Sequence, residues 1–307
     1  MDEQEPAPSS VVIDHLTFRY HGTDRDVLRD LCMNLAPGAR CLLIGANGSG
    51  KSTTLKILAG RHLVKPDESV RVLGRSAFHD TSLNFERSYL DTEWGMRTVA
   101  FAGYGVPLQA DIAVKDMMTK LQSEHPERRD DLINMLGIDV NWRMHRVSDG
   151  QRRRVQIFLA LLRPFRFLLL DEVTVSLDVV VRQDLMDWLR VESENTGCTI
   201  IYATHIFGGL DDWPTHLHYL NNEGATGWQG RVEDHEQLRE LRAAGHPCPL
   251  LKVAETWLRE EMKNRPSATG GGAERELGEG AREDDSLRRP YVSGGGFAPG
   301  RMASHMT

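Results

Sequence analysis

The sequence predicts an α/β fold built on a parallel β-sheet, and three observations carry this prediction. The runs ARCLLIG (39–45), FLLLDE (167–172) and TIIYATH (199–205) are almost continuously apolar, as are strands that a parallel sheet buries on both faces. A glycine-rich turn follows the first run and opens into a segment with helical spacing. An amphipathic helix over 177–194 lies between the other two runs, which gives one βαβ unit.

The elements near the N-terminus follow in order. Residues 11–20 (VVIDHLTFRY) alternate apolar and polar side chains, a pattern typical of a half-buried strand that opens a first β layer. The segment VRVLG (70–74) indicates another short strand. The polar stretch over 75–97 is weakly patterned and predicts an insertion or a long connection.

Helical spacing dominates from residue 111 onward and predicts a helical subdomain over about 110–163. Within the segment DLINMLGI, Gly137 is placed to stop a helix. The motifs HLHYL and TGWQG further along resemble a terminal hairpin. A last helix is predicted over 232–241.

These patterns divide the chain into three parts. Residues 1–10 are predicted to be flexible, residues 11–263 to form one domain, and residues 264–307 to be a glycine-rich, disordered tail. The tail has few large apolar residues to offset its ordering entropy. Tyr291 and Phe297 leave a second interpretation of the tail open, a short docking peptide.

The composition excludes several functional classes. With 37 Lys and Arg against 44 Asp and Glu, the 307-residue chain has a formal net charge of −7, which argues against a general nucleic-acid surface. The four cysteines contain no CxxC pair, which favours thiols in a reducing compartment over a metal or redox site. The N-terminus has no signal-peptide pattern, and the apolar run VQIFLALL is too short to cross a bilayer. We expect a cytoplasmic protein, with nuclear or peripheral membrane association as alternatives.

A phosphate-binding loop is predicted between the first buried run and its helix. GANGSGKST satisfies G-x-x-x-x-G-K-[ST] in the strand, loop and helix context that the mechanism requires. Gly48 and Gly50 let backbone N–H groups turn toward phosphates, the helix N-terminus adds its positive dipole, and Lys51 reaches the β- and γ-phosphates. The Ser52 hydroxyl is expected to ligate Mg²⁺, so Mg²⁺ with ATP or GTP is the implied ligand. The residues assigned to nucleotide binding are Gly45, Asn47, Gly48, Ser49, Gly50, Lys51, Ser52 and Thr53.

Two carboxylates are predicted to complete this site. The apolar run FLLLDE delivers Asp171 to the Mg²⁺ at the end of a strand. Glu172, the next residue, is then expected to face the γ-phosphate and to orient or deprotonate the attacking water. An acidic pair that ends a strand is usually a solvated strand terminus when it occurs alone. Because a phosphate-binding loop is also present in this sequence, the functional interpretation of the pair is favoured.

The segment VSDGQRRRV connects the sequence with a known family. It resembles the LSGGQ signature of the ATP-binding cassette (ABC) ATPases. Ser148, Gly150 and Gln151 match the signature, whereas Val147 replaces its leucine and Asp149 its first glycine. The resemblance implies an ABC-type nucleotide-binding domain, which has a P-loop parallel-sheet core, an N-terminal antiparallel β layer and a helical subdomain.

Other elements of this family occur in the expected order. By resemblance, Tyr20 is the aromatic residue that stacks on adenine, and Gln109 is the Q-loop glutamine that ligates Mg²⁺ and acts in catalysis. Asp178 ends the D-loop, and His205 is the catalytic switch histidine. Gln109 lies further along the chain from the phosphate loop than the family spacing implies.

The motifs SDGQRRRVQI, LLLDE and IIYATHIF together with the glycine-rich tail are similar to the stand-alone ABC ATPases of eukaryotes. In plants these are the small soluble proteins of the I subfamily, and the yeast relative is associated with a transcription and mRNA-turnover complex. The resemblance implies an ABC-type ATP hydrolase that binds and hydrolyses Mg·ATP in an ATP-dependent, head-to-tail homodimer. Closure of that dimer would act as a regulatory switch on a protein partner.

Two alternative functions stay open. The first is the ATP-binding subunit of a transporter whose membrane subunits are separate chains, since the core motifs are common to both. The second is an RNA- or ribosome-associated ATPase, although such relatives usually carry two cassettes and this chain has one phosphate loop. The basic triplet at 152–154 is interpreted as part of the signature helix, so no nucleic-acid partner is expected.

Overall fold

The described strands form a central sheet, a smaller antiparallel layer and a separate two-stranded antiparallel sheet, and the central sheet positions the site. The structure, a computed structural model, describes residues 9–91, 99–101, 104–106 and 111–264. The strands are β1 (Val11–Arg19), β2 (Asp26–Leu35), β3 (Arg40–Gly45), β4 (Val70–Val72), β5 (Arg75–Ser76), β6 (Arg87–Leu90), β7 (Val99–Phe101), β8 (Tyr104–Val106), β9 (Phe167–Asp171), β10 (Thr199–Ala203), β11 (His216–Leu220) and β12 (Thr226–Arg231). The α-helices are α1 (Lys51–Leu58), α2 (Thr119–Glu124), α3 (Pro126–Leu136), α4 (Asp149–Leu161), α5 (Val179–Thr196), α6 (Glu236–Ala243) and α7 (Pro249–Asn264).

The central sheet has the strand order β12-β11-β3-β10-β9-β6. Its neighbouring strands are parallel except for β12, which pairs antiparallel with β11. Every residue of β3, β9 and β10 is buried, because elements cover both faces of the sheet, and this burial explains their continuous apolar runs. The predicted α/β class with a parallel core is confirmed.

The second sheet is antiparallel and has the order β2-β1-β4-β5. Leu28 of β2, Leu55 of α1 and Leu43 of β3 share one buried core. The antiparallel layer and the central sheet therefore both contribute to the apolar surroundings of α1. Sequence analysis identified β1 but not its partner β2, whose apolar positions follow an irregular alternation because the pairing contains register shifts.

The interpretation of residues 75–97 as an insertion is wrong for its first part. Residues of β6 form the edge of the central sheet and pair in parallel with β9, with Leu90 opposite Leu170. The strand has only four residues, of which Tyr89 and Leu90 are buried, so it is too short to give a recognisable period. Residues 92–97 lie outside the described part of the chain.

Three helices follow in the region expected to be helical. The left-handed backbone of Gly137, with φ of 58°, ends α3, as the sequence predicted. The helix α4 buries Val155, Phe158 and Leu159 in the same core as the central strand residue Leu170. Among the described helices, none has the length and apolarity needed to span a membrane.

The C-terminal part of the described chain is longer than predicted. The expected helix over 232–241 is a 3₁₀ turn followed by α6, and α7 then extends the structure to Asn264. Leu250 and Val253 of α7 are fully buried, and Trp257 stacks on Tyr219 of β11 with ring centroids 4.6 Å apart. Of the tail predicted over 264–307, only Asn264 is described, as the last residue of α7. Residues 265–307, like residues 1–8, lie outside the described residues.

Trp257→Ala should lower the free energy of unfolding by about 2 to 3 kcal/mol, because it removes a large, partly buried ring that anchors α7 to the central sheet. Urea unfolding followed by circular dichroism measures the change. Met262→Ala on the same helix is the control, since Met262 is 72% exposed and its loss should cost less than about 0.5 kcal/mol. Equal effects of the two variants would contradict the assigned role of Trp257.

Candidate active site

The parallel sheet brings the predicted site residues to one edge. The carboxyl ends of β3, β10 and β9 are adjacent, and ligands of parallel α/β sheets bind outside such ends. The phosphate loop follows β3, Asp171 ends β9, and His205 lies two residues after β10. Together they line a cavity of ≈ 330 Å³. The lining residues are Val27, Asn47, Gly48, Gly50, Lys51, Ser52, Thr53, Asp171, Glu172 and His205.

The phosphate loop has a backbone that requires glycine. Gly48 and Gly50 have φ values of 82° and 101°, in the left-handed region that side chains disfavour. A Cβ atom on Gly50 would lie 2.5 Å from Cδ2 of Leu28, and one on Gly45 would lie 2.6 Å from the carbonyl oxygen of Leu220. The loop is therefore closely packed against β2 and β11, which fixes its shape.

Lys51 is held inside this loop. Its side chain is 7% exposed, and Nζ donates hydrogen bonds of 2.8 and 3.0 Å to the carbonyl oxygens of Gly45 and Ala46. An ammonium group has three N–H donors, so one donor remains for a phosphate oxygen. Burial lowers the pKa of Lys51, and the charges of Glu172 and Asp171 oppose this shift.

The oxygen atoms of Ser52 and Asp171 form a donor set that fits Mg²⁺. Asp171 is 6% exposed, and burial raises its pKa, whereas a hydrogen bond with the Ser52 side chain lowers it. A hydroxyl and a carboxylate are the hard oxygen ligands that Mg²⁺ prefers. The buried carboxylate is also costly when it is charged, and a divalent cation would relieve that cost.

Glu172 is positioned by a strained backbone and by His205. Its φ of 51° lies in the left-handed region, which costs energy for a residue with a side chain. Oε1 of Glu172 lies 3.3 Å from Nε2 of His205, and the backbone N–H of His205 donates to Oε2 at 3.4 Å. Burial raises the pKa of Glu172 and lowers the pKa of His205 from 6.5. A neutral imidazole therefore faces a carboxylate that can accept a proton, as general-base activation of water requires.

Tyr20 and Ser49 lie beside the cavity rather than in its lining. The Tyr20 hydroxyl is 3.0 Å from Oγ1 of Thr53, and its ring makes edge contacts with Phe18 and His62 at centroid distances of 5.2 Å. Ser49 is 1% exposed. The stacking of adenine on Tyr20 stays a prediction.

The signature residues are not part of this cavity. Oγ of Ser148 accepts a hydrogen bond of 3.2 Å from the Gln151 backbone, and the Gln151 side chain accepts one of 2.9 Å from the Ser148 backbone. This capping box begins α4. Across the described part of the chain, neither Ser148, Gly150 nor Gln151 lines the cavity at the phosphate loop.

The D-loop aspartate and the arginine triplet are engaged within the chain. Asp178 caps α5 by accepting a hydrogen bond of 3.0 Å from the Val181 backbone, and it pairs with Arg154 at 2.5 Å. Arg152 pairs at 2.7 Å with Asp149, whose side chain is 95% exposed. Arg152 and Arg154 therefore each form an ion pair within the chain.

One predicted residue cannot be placed, and one buried residue was missed. Gln109 lies outside the described residues, and its role as a ligand stays a prediction. Asp91 directly follows β6 and is only 6% exposed. In the sequence, the only indication was an acidic residue directly after the apolar pair Tyr89 and Leu90. The position of Asp91 near the site became evident from the pairing of β6 with β9 in the structure.

The fold and the site define a P-loop ATPase. A family model described as ABC transporter matches residues 28–175. ABC transporter I family member 20 of Arabidopsis thaliana is 46% identical over 284 residues, covering 88% of this chain and 84% of the relative. CCR4-associated factor 16 of Saccharomyces cerevisiae is 37% identical over 228 residues, covering 69% of this chain and 76% of the relative.

A solved structure shares the fold. It is a dimeric ATP-binding cassette in a post-hydrolysis state with ADP and Pi, and it matches with a TM-score of 0.56 at 20% identity over 72% of this chain and 98% of the other. The chain belongs to the ABC transporter family and is an ABC-type ATP hydrolase. The predicted nucleotide-binding domain fold and the resemblance to the plant and yeast relatives are both confirmed.

Two substitutions should separate ATP binding from hydrolysis. Lys51→Ala removes a charge-assisted phosphate contact and should weaken ATP binding by about tenfold or more. Glu172→Gln keeps the shape of the site and should retain ATP affinity within about threefold, while turnover falls by at least about 100-fold. Calorimetry measures binding, and phosphate release measures turnover.

Glu223→Gln is the matched control, because Glu223 is exposed and its loss should leave both quantities unchanged. Undiminished hydrolysis in Glu172→Gln would remove the role assigned to that carboxylate.

Proposed function

We propose that this ATPase is a regulatory switch that closes as a head-to-tail homodimer around two Mg·ATP molecules and passes closure to a protein partner. The observation that carries the dimer is the separation of two half-sites. The phosphate loop and its carboxylates line one cavity, whereas Ser148 and Gly150 lie outside it. In a head-to-tail pair, each signature segment would cover the phosphate loop of the other copy.

The residues of one half-site have complementary roles in hydrolysis. Lys51 binds the phosphates, and Ser52 and Asp171 would hold Mg²⁺, which supplies positive charge against the phosphate oxygens when bound. Glu172 orients the attacking water and takes its proton. The backbone N–H of His205 donates to Oε2 of Glu172 at 3.4 Å and orients that carboxylate.

The signature segment has the chemistry needed to complete the second half-site. The Ser148 hydroxyl accepts its capping hydrogen bond from Gln151 and therefore keeps its own proton free to donate to a phosphate oxygen. The N-terminus of α4 adds the positive end of its dipole. Gly150 has no side chain to obstruct the approach, and Asp149 is turned toward Arg152 and solvent.

A protein partner is supported by the yeast relative. The name CCR4-associated factor 16 describes that protein as a factor associated with CCR4. For this chain, the proposal is a soluble regulatory role in the cytoplasm with a protein partner. Service as the ATP-binding subunit of a transporter with separate membrane subunits is the alternative.

Dimerisation should require ATP. In sedimentation of Glu172→Gln, Mg·ATP should convert the monomer to a dimer, whereas the nucleotide-free variant should stay monomeric. Adding Gly150→Asp should prevent this conversion, since the new carboxylate would face the phosphates bound by the other copy.

The Gly150→Asp change is compatible with the chain's own fold. A Cβ atom on Gly150 would lie 3.4 Å from the Ser176 carbonyl oxygen, and an acidic side chain favours the first turn of a helix. Its melting temperature should therefore match that of the parent. A Glu172→Gln protein that remains monomeric with ATP, or a dimer that persists in Gly150→Asp, would refute the homodimer.

The partner should associate with the closed state. Tagged Glu172→Gln with ATP should retain a soluble protein from a cell extract, and tagged Lys51→Ala should not, because it lacks the contact that holds ATP. Mass spectrometry of the two samples identifies the difference. Recovery of integral membrane subunits would favour the transporter alternative, and recovery of ribosomes would favour the RNA-associated one.

A further inference from the structure

A buried carboxylate lies near the site without a role in the mechanism above. Asp91, which follows β6, is 6% exposed. Its Oδ2 is 3.2 Å from Nη1 of Arg61, whereas Oδ1 is buried without a hydrogen-bond partner in the described structure. A charged oxygen that is buried in this way is costly unless a ligand or cation satisfies it.

The strand register puts Asp91 beside the metal-binding carboxylate. Leu90 pairs with Leu170 across the parallel strands β6 and β9, so Asp91 and Asp171 are the next residues along the two strands. Residues at the same level of neighbouring strands project to the same face, with the strands about 5 Å apart. The pKa of Asp171 is raised mainly by burial, and the negative charge of Asp91 raises it further. This second effect is expected when two acids are adjacent.

The backbone at this position is fixed. Arg153 of α4 is 6% exposed, and it donates hydrogen bonds of 2.8 and 2.9 Å to the carbonyl oxygens of Asp91 and Val173. One guanidinium group therefore holds the ends of both β6 and β9. The backbone of Asp91 cannot shift without breaking this link.

The side chain of Asp91 has one strong partner, and that partner is partly solvated. The Arg61 side chain is 47% exposed, and its guanidinium lies 4.4 Å from the ring centroid of Tyr89. Burial raises the pKa of the Tyr89 hydroxyl, and the charges of Asp171 and Asp91 together with a side-chain hydrogen bond to Asp91 raise it further. The ion-pair partner of the Asp91 carboxylate is thus a half-exposed cation.

We propose that Asp91 is a second carboxylate of the divalent-metal site. Asp171 and Ser52 are the protein ligands already described, and Asp91 provides a further negative charge next to them. Since Mg²⁺ in nucleotide sites usually keeps several waters, the free Oδ1 of Asp91 would accept hydrogen bonds from that hydration shell. Arg61 is then the competing cation that limits the metal affinity. The inference rests on the proposed Mg·ATP site.

The test measures metal binding without turnover. Mn²⁺ is titrated into the ATP-saturated protein and followed by electron paramagnetic resonance, in a Glu172→Gln background that prevents hydrolysis. Asp91→Asn should weaken Mn²⁺ binding by about tenfold. Arg61→Met should strengthen it by about threefold, since it leaves Asp91 unopposed.

The opposite signs exclude a merely structural role. If Asp91 and Arg61 only stabilised the fold, both variants would lower the melting temperature and neither would change the Mn²⁺ affinity. Asp91→Glu keeps the charge and should retain more of the affinity than Asp91→Asn. Asp130→Asn on α3, an exposed position, is the control for the change in net charge and should have no effect.

The outcomes also separate this inference from the proposed function. Tight Mn·ATP binding that is equal in the parent and in Asp91→Asn would overturn the role of Asp91 and leave the Mg·ATP site intact. If Asp91→Asn does not fold, Arg61→Met decides, and an unchanged or weaker Mn²⁺ affinity in that variant overturns the inference. A parent protein that binds no Mn²⁺ with ATP would refute the proposed site itself.

Discussion

The alignment of parallel strands in the central sheet is the constraint on which the site depends. β3, β10, β9 and β6 end at the same edge, and each strand end leads into residues of the candidate site. In the order of these strands, they are the phosphate loop, His205, Asp171 with Glu172, and the proposed metal-site residue Asp91. Burial of β3, β9 and β10 on both faces gives these strands the rigidity that positions the residues at their ends.

Charge balance is the main energetic feature of that edge. One buried ammonium, Lys51, faces the carboxylates of Asp171 and Glu172, and burial raises the pKa of both acids. Such an arrangement costs stability in the absence of a cation and becomes favourable when a metal and phosphates bind together. Arg61 and Arg153 extend this balance to Asp91, so the charges form a network rather than isolated pairs.

The signature segment has a structural role within this chain. Ser148 starts α4 through a capping box and keeps a proton to donate. Asp178 and Arg154 link the start of α5 to the same helix. Arg154 and Arg153 therefore connect α4 with the start of α5 and with the ends of β6 and β9.

The sequence by itself determined the phosphate loop, the acidic pair and the family, because each depends on residues that are adjacent in the chain. GANGSGKST and LLLDE require a local strand, loop or helix context that apolar runs reveal. It also predicted the end of α3 at Gly137, since a helix stop is local. Only the tertiary structure decided that β6 is an edge strand, that α7 anchors through Trp257, and that Asp91 lies beside Asp171. Those features arise from strand register and packing between segments that are distant in the chain. A four-residue strand or a single aspartate is too short a stretch of sequence to show a recognisable pattern.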